Sequence, residues 1–176
     1  MIRPEYREML QGQHTILVVL WSVFVVAIFL YLWIAHTFLA QRQLAPGSAF
    51  SQIARLLMWL LAFFDLATLM WWKRRFLTRA AILGGVKQYK LLQALQGHKG
   101  AVEERSAAVV SSYVTSKIVA FALIEALAIY GFALVLVSRY FLGQYILSVA
   151  GGVLLLVEFP SRRFLEELLG AAENSK

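Results

Sequence analysis

The chain contains no cysteine. Disulfides, thiolate nucleophiles, thiol-ligated zinc and iron–sulfur clusters are therefore excluded, and the redox compartment cannot be read. It is also poor in charge: Asp, Glu, Lys and Arg make up only 15% of 176 residues. The usual soluble-enzyme signatures are missing too. No glycine-rich loop is followed by Lys and Ser or Thr, as a phosphate-cradling turn requires, and the Gly84-Gly85 and Gly151-Gly152 pairs lack that context. His14, His36 and His98 are scattered, without the two-histidine helical spacing of a metal site, so no metal or other cofactor is expected. No serine sits in a nucleophile elbow. Catalysis by the chain itself is not expected.

What is present is hydrophobic. Sixty per cent of residues are apolar and mean hydropathy is +0.68. A soluble domain of this length cannot hide so much apolar surface, whereas lipid accepts apolar side chains on the outside of the fold. Net charge is +7 with a pI near 9.9, which in a soluble protein would suggest nucleic-acid binding. Here the basic residues flank hydrophobic segments, where they mark the cytoplasmic side and meet anionic lipid heads. Membrane lipids, not nucleic acid, are the expected partner.

The pattern predicts an all-α integral membrane protein forming a single membrane domain, with four transmembrane helices in two hairpins. The spans fall at about residues 15–40, 53–72, 117–137 and 140–159. The first apolar run is far longer than the roughly 7–15 residues of a secretory signal, so it reads as a retained span or signal-anchor. Pro46, Gly47 and Ser48 mark the turn that follows. Span two closes on Trp71 and Trp72 and then Lys73, Arg74 and Arg75, which stop translocation. Arg55, at its other end, is expected to snorkel outwards.

Residues 73–116 form a basic cytoplasmic loop in which Ile82, Val86, Tyr89, Leu91, Leu92 and Leu95 recur at near-helical intervals beside Lys87 and Lys90. This reads as an amphipathic segment for the membrane surface or a partner. Span four is the shortest and ends at Pro160; the tail, residues 160–176, holds a short C-terminal amphipathic helix, Arg162 to Ala172. Basic residues in the head, central loop and tail place both termini in the cytoplasm, in what is expected to be a bacterial inner membrane. No internal repeat relates the hairpins.

Two acids lie near the middle of spans, Asp65 and Glu125. An ionised carboxylate there costs about 2.5 kcal/mol or more, so such a group faces a bundle interior or cavity, or stays protonated. Each is a candidate proton- or cation-binding group; the alternative is a hydrogen-bonded tie to a neighbouring helix, which fits Asp65 the better of the two. Ala122 and Ala126 form a small-residue strip beside Glu125, expected to bring another helix close. Lys117 is about 12 Å from Glu125 along the helix and is expected to snorkel to the interface. His36 reads as an interfacial anchor, the aromatics of span one as packing or lipid-facing groups, and Glu158 with Arg162 as a surface ion pair.

The stretch from Ile118 to Val137, with its Glu-Ala-Leu-Ala-Ile-Tyr core, resembles the carboxylate-bearing helix of rotary ATPase c (proteolipid) subunits. The resemblance implies an ion-binding role for Glu125, with Tyr130 as a neighbour. It covers about twenty residues. Span two has no glycine where that family has a glycine-rich helix, and the central loop is longer.

Two functions follow. The first is a polytopic membrane subunit or scaffold, packing in the bilayer against other membrane proteins or copies of itself, with Lys73, Arg74, Arg75, Lys87 and Lys90 as candidate lipid or partner contacts. The alternative is an ion-coupled component using Glu125, with Asp65 and Tyr130 assisting. An intramembrane lipid-modifying enzyme would have only the two acids to work with.

Overall fold

The computed structural model describes residues 4–39, 49–84 and 101–174. Every element among them is helical, with no strand. Helix α1 (Pro4–Ile34) continues into a π-helical segment (Ala35–Leu39). Then come α2 (Ala49–Phe76), α3 (Arg79–Gly84), α4 (Ala101–Ser138), α5 (Phe141–Val157) and α6 (Arg162–Asn174). The turn at residues 41–48, the periodic segment from Val86 to Leu95 and the candidates Lys87 and Lys90 lie outside the described residues.

Three stretches are long and apolar enough to cross a membrane: Gln11–Thr37, Ser51–Phe76 and Val109–Ser138. Phe141–Val157 qualifies only together with Arg162–Leu168, across the break at residues 158–161, so the candidate spans number three, or four if that bent pair is one span. At roughly 1.5 Å per residue, α5 alone falls short of the ~30 Å hydrocarbon core. Pro160 enforces that break, because it has no N–H to continue the ladder.

The third span differs most from expectation. Its helix begins at Ala101 and its apolar stretch at Val109, eight residues before Lys117. Lys117 is buried at 9% exposure, with Nζ 6.0 Å from the centre of the Tyr113 ring, rather than snorkelling outwards. The small Ser, Ala, Val and Thr residues before it carry no charge, and a helix can bury them together with a lysine stem.

The chain forms two compact units. One comprises residues 1–20, 72–119 and 160–176, the other residues 21–71 and 120–159. In the first, Leu17, Ile82, Val109, Tyr113, Leu165 and Leu168 are buried, and α3 packs on α6. The Tyr113 ring lies 5.5 Å from that of Phe164, Trp72 Nε1 donates to the Ser116 carbonyl at 3.2 Å, and His14 Nε2 donates to the Pro160 carbonyl at 3.1 Å. The Thr78 hydroxyl accepts from Ala81 N–H, an N-cap for α3. On α6, Arg162, Glu166 and Glu167 are exposed opposite Leu165 and Leu168; Arg162 Nε pairs with Glu166 at 3.2 Å. Exposed i,i+4 pairs of this kind contribute about 0.3–0.5 kcal/mol.

In the second unit, Ala62 of α2 packs with Leu127 and Leu134 of α4 and Leu147 of α5, flanked by Met58, Trp59, Tyr130 and Tyr140. Phe121, Ile124 and Ala128 are also fully buried. The small-residue strip does not lie on this face: Ala122 is exposed and Ala126 half-buried, whereas Ala120, Ala128 and Gly131 are buried. At Gly131 a Cβ would meet Gln144 Cα at 3.1 Å, so the absent side chain lets α4 and α5 backbones approach. The turn joining them puts Arg139 at φ 55, with its N–H bonded to the Val135 carbonyl at 3.1 Å, the 5→1 bond of an αL helix end. Glu158, at the end of α5, is buried at 6% exposure and so does not stand at a surface.

Large apolar side chains are exposed along α1, α2 and α5, among them Val23, Phe29, Leu57, Phe64, Val149 and Leu156. Such surface suits lipid, where it costs nothing, and would be unfavourable in water.

Candidate functional site

The chemistry-bearing groups of the second unit are set on four apolar helices, α1, α2, α4 and α5. Glu125 lies on α4, and its Oε1 accepts a hydrogen bond from the Tyr31 hydroxyl of α1 at 3.0 Å. The Tyr31 ring stacks on Phe132, with centroids 5.6 Å apart and planes 28° from parallel. The Tyr31 carbonyl accepts from Gln144 Nε2 of α5, also at 3.0 Å. A carbonyl oxygen has two lone pairs, so a helical residue can take a side-chain donor besides its backbone partner. One tyrosine thus joins α1 to α4 through its side chain and to α5 through its backbone. Gln144 is only 1% exposed, and in a dry interior its amide needs such a partner.

Asp65 is differently placed. It is 7% exposed, and its Oδ2 is buried without a hydrogen-bond partner. Tyr130 lies within electrostatic reach of Asp65. The resemblance to proteolipid helices made Tyr130 a neighbour of Glu125; five residues on a helix amount to about 140° of rotation, which points the two side chains apart. The structure brings Tyr130 towards Asp65 and gives Glu125 to Tyr31.

Towards the other end of the unit, the Arg55 guanidinium lies 4.3 Å from the centre of the Tyr140 ring. It is half-buried on that ring rather than extended along its own stem. Of the remaining candidates, Lys73 is half-buried, Arg74 and Arg75 are exposed, and His36 is exposed in the π-helical segment. Among the described residues, no three His, Asp or Glu side chains are grouped to hold a metal ion.

Sequence reasoning missed Tyr31 and Gln144. Tyr31 was one aromatic among several in span one. Gln144 stands at the start of α5, where it reads as the edge of a turn, although an amide inside an apolar helix is itself a signal. Of the span-one aromatics, Trp21 meets Phe159 edge-on at 5.1 Å and donates to the Leu155 carbonyl at 2.7 Å, and Phe24 lies against Phe121, whereas Phe29 and Trp33 are exposed.

Chemically, the Tyr31–Glu125 bond occupies one carboxyl oxygen with a neutral donor and fixes the side chain across two helices. Asp65 has an oxygen, Oδ2, without a hydrogen-bond partner among the described residues. No protein-family model matches this chain, and no curated protein or solved structure is similar to it beyond chance.

Proposed function

We propose that the chain is a polytopic membrane subunit that packs against partner proteins in the bilayer and performs no catalysis of its own. Its four spans are α1, α2, α4 and the short α5, which reaches the interface at Pro160 rather than beyond it, in two hairpins, with both termini in the cytoplasm of a bacterial cell. The basic segment after α2 and the amphipathic α6 lie at the cytoplasmic surface. The observation that supports this best is the tie between Tyr31, Glu125 and Gln144: these three polar side chains are engaged in holding helices together. Interhelical hydrogen bonds of this kind are a structural device in membranes. The test is recovery from mild detergent. A stable partner should co-purify, and neutralising Lys87, Lys90 and Lys73-Arg74-Arg75 should release it. A chain that purifies alone and functions alone in liposomes would contradict this reading.

One observation, the Asp65 Oδ2 without a partner among the described residues, favours an ion-coupled reading in which the role expected of Glu125 moves to Asp65. In this reading Asp65, beside Tyr130, takes up and releases the proton, and Glu125 keeps its place by bonding Tyr31. Asp65→Asn would then abolish transport and carbodiimide labelling while leaving assembly intact, whereas Glu125→Gln, which still accepts from Tyr31, would reduce neither completely. Unchanged transport in Asp65→Asn removes the alternative.

A further inference from the structure

One aromatic ring organises the end of the second unit where α2 begins. Arg55 lies in the second turn of α2, and Arg139 and Tyr140 form the turn from α4 to α5. The Arg55 guanidinium rests on the Tyr140 ring, 4.3 Å from its centre. The ring in turn packs on Gly143, where an added Cβ would fall 2.5 Å from Tyr140 Cδ1. A side chain there would push the ring, and the seat of Arg55 with it, out of place.

The ring face takes the charge of Arg55 but offers no acceptor atom to its five N–H donors. Among the described residues Arg55 makes no hydrogen bond or ion pair, and of its three guanidinium nitrogens only Nε is enclosed. The two terminal nitrogens of this half-buried side chain reach the surface. They carry the fork that grips an oxyanion.

No carboxylate of these helices reaches that charge. The sequence has no Asp or Glu between Glu8 and Asp65, or between Glu125 and Glu158. Asp65 is ten residues further along α2 and Glu125 fourteen before Arg139, about 15 and 21 Å at 1.5 Å per residue. Arg139, next to Tyr140, adds a second guanidinium to the same end. The counter-charge therefore comes from outside the chain, and depth indicates its source. In the proposed topology this end is the outer interface, the level of lipid phosphates, where basic residues run against the usual cytoplasmic bias. Further into the same spans, Leu56 and Leu60 of α2 and Leu142, Ile146 and Val149 of α5 are exposed, a surface suited to acyl chains.

We infer that Arg55, held on Tyr140 and reinforced by Arg139, binds the phosphodiester of an anionic phospholipid in the outer leaflet. The site rests on α2, α4 and α5 crossing the membrane and is independent of the scaffold role.

The test uses the full chain in phosphatidylcholine nanodiscs. The probe is phosphatidylglycerol carrying a diazirine beside its glycerol, with the matching phosphatidylcholine as reference. After irradiation, phosphatidylglycerol should label residues 51–56 and 139–146 saturably, and the reference only diffusely. Arg55→Gln should raise the half-saturating mole fraction roughly ten-fold, the loss of hydrogen bonds to a charged group. Arg55→Lys keeps the charge without the fork or the stack, and should raise it about three-fold. Tyr140→Phe should leave it unchanged, whereas Tyr140→Leu, read below its thermal transition, should raise it. Replacing Lys73, Arg74 and Arg75 with Gln should not alter it, which separates this site from the cytoplasmic cluster. Equal labelling by the two probes, or parental binding in Arg55→Gln, Arg55→Lys or Tyr140→Leu, would overturn the site. Displacement by inorganic phosphate would overturn it in favour of a free anion, and a co-purified protein released by Arg55→Gln in favour of a partner's carboxylate. A chain that enters nanodiscs without saturable labelling removes the site alone; one that stays out removes the membrane reading with it.

Discussion

The Tyr31 hydroxyl donates to Glu125 Oε1 at 3.0 Å, across two helices and 94 residues of sequence. A carboxyl group in an apolar span is costly unless something engages it, and here a phenol does so. Tyr31→Phe removes the donor and keeps the ring stacked on Phe132. It should destabilise the protein by about 0.6–1.7 kcal/mol, the range for hydrogen bonds between membrane helices. Glu125→Gln retains an acceptor and should cost less than Glu125→Ala. Thermal unfolding in detergent, run as a double-mutant cycle, would measure the coupling; additive effects would show that the bond contributes nothing.

Gly131→Ala tests the close approach of α4 and α5. The new Cβ would lie 3.1 Å from Gln144 Cα and 3.2 Å from its carbonyl oxygen, both backbone atoms that cannot rotate away. Overpacking of this kind costs about 1–3 kcal/mol. Because Gln144 also holds the Tyr31 carbonyl, the variant should weaken the Tyr31–Glu125 coupling too, a readout that general destabilisation would not produce.

The cation–π contact of Arg55 with Tyr140 should contribute about 0.5–2 kcal/mol, depending on how far it is desolvated. Tyr140→Phe keeps the ring and should leave the thermal transition in detergent nearly unchanged. Tyr140→Leu and Arg55→Gln should lower it by similar amounts, and together by no more than either alone.

Asp65 separates the two functional readings by stability. Replacing an unengaged buried polar group with an apolar one of similar size is often neutral or stabilising. Asp65→Leu should therefore fold at least as well as the parent in detergent. A scaffold would keep its partner, whereas an ion-coupled component would fold normally and lose transport.

The spans were legible where the sequence is monotonous. Runs of Leu, Val, Ile and Phe around residues 15–40 and 53–72 announce helices in lipid, and the basic cluster after Trp72 marks an end. The third boundary was not, because Ser, Thr and Ala before Lys117 look like a loop by composition yet form a helix that buries the lysine. The two acids stood out as rare charges. The groups that hold Glu125 in place did not, since Tyr31 lies 94 positions from Glu125 and Gln144 lies 113 from Tyr31, and no local periodicity connects one apolar helix to another. The placement of Tyr130 with Asp65 required knowing which face of α4 meets α2.

The absence of cysteine makes sidedness directly measurable, because each introduced thiol reports alone. With single substitutions Ser48→Cys, His98→Cys and Ser175→Cys, a membrane-impermeant maleimide should label Ser48→Cys in intact cells and the other two only after permeabilisation. The protein should resist extraction by alkaline wash. Labelling of His98→Cys or Ser175→Cys from outside, or recovery of the chain in the soluble fraction, would contradict four spans with both termini in the cytoplasm.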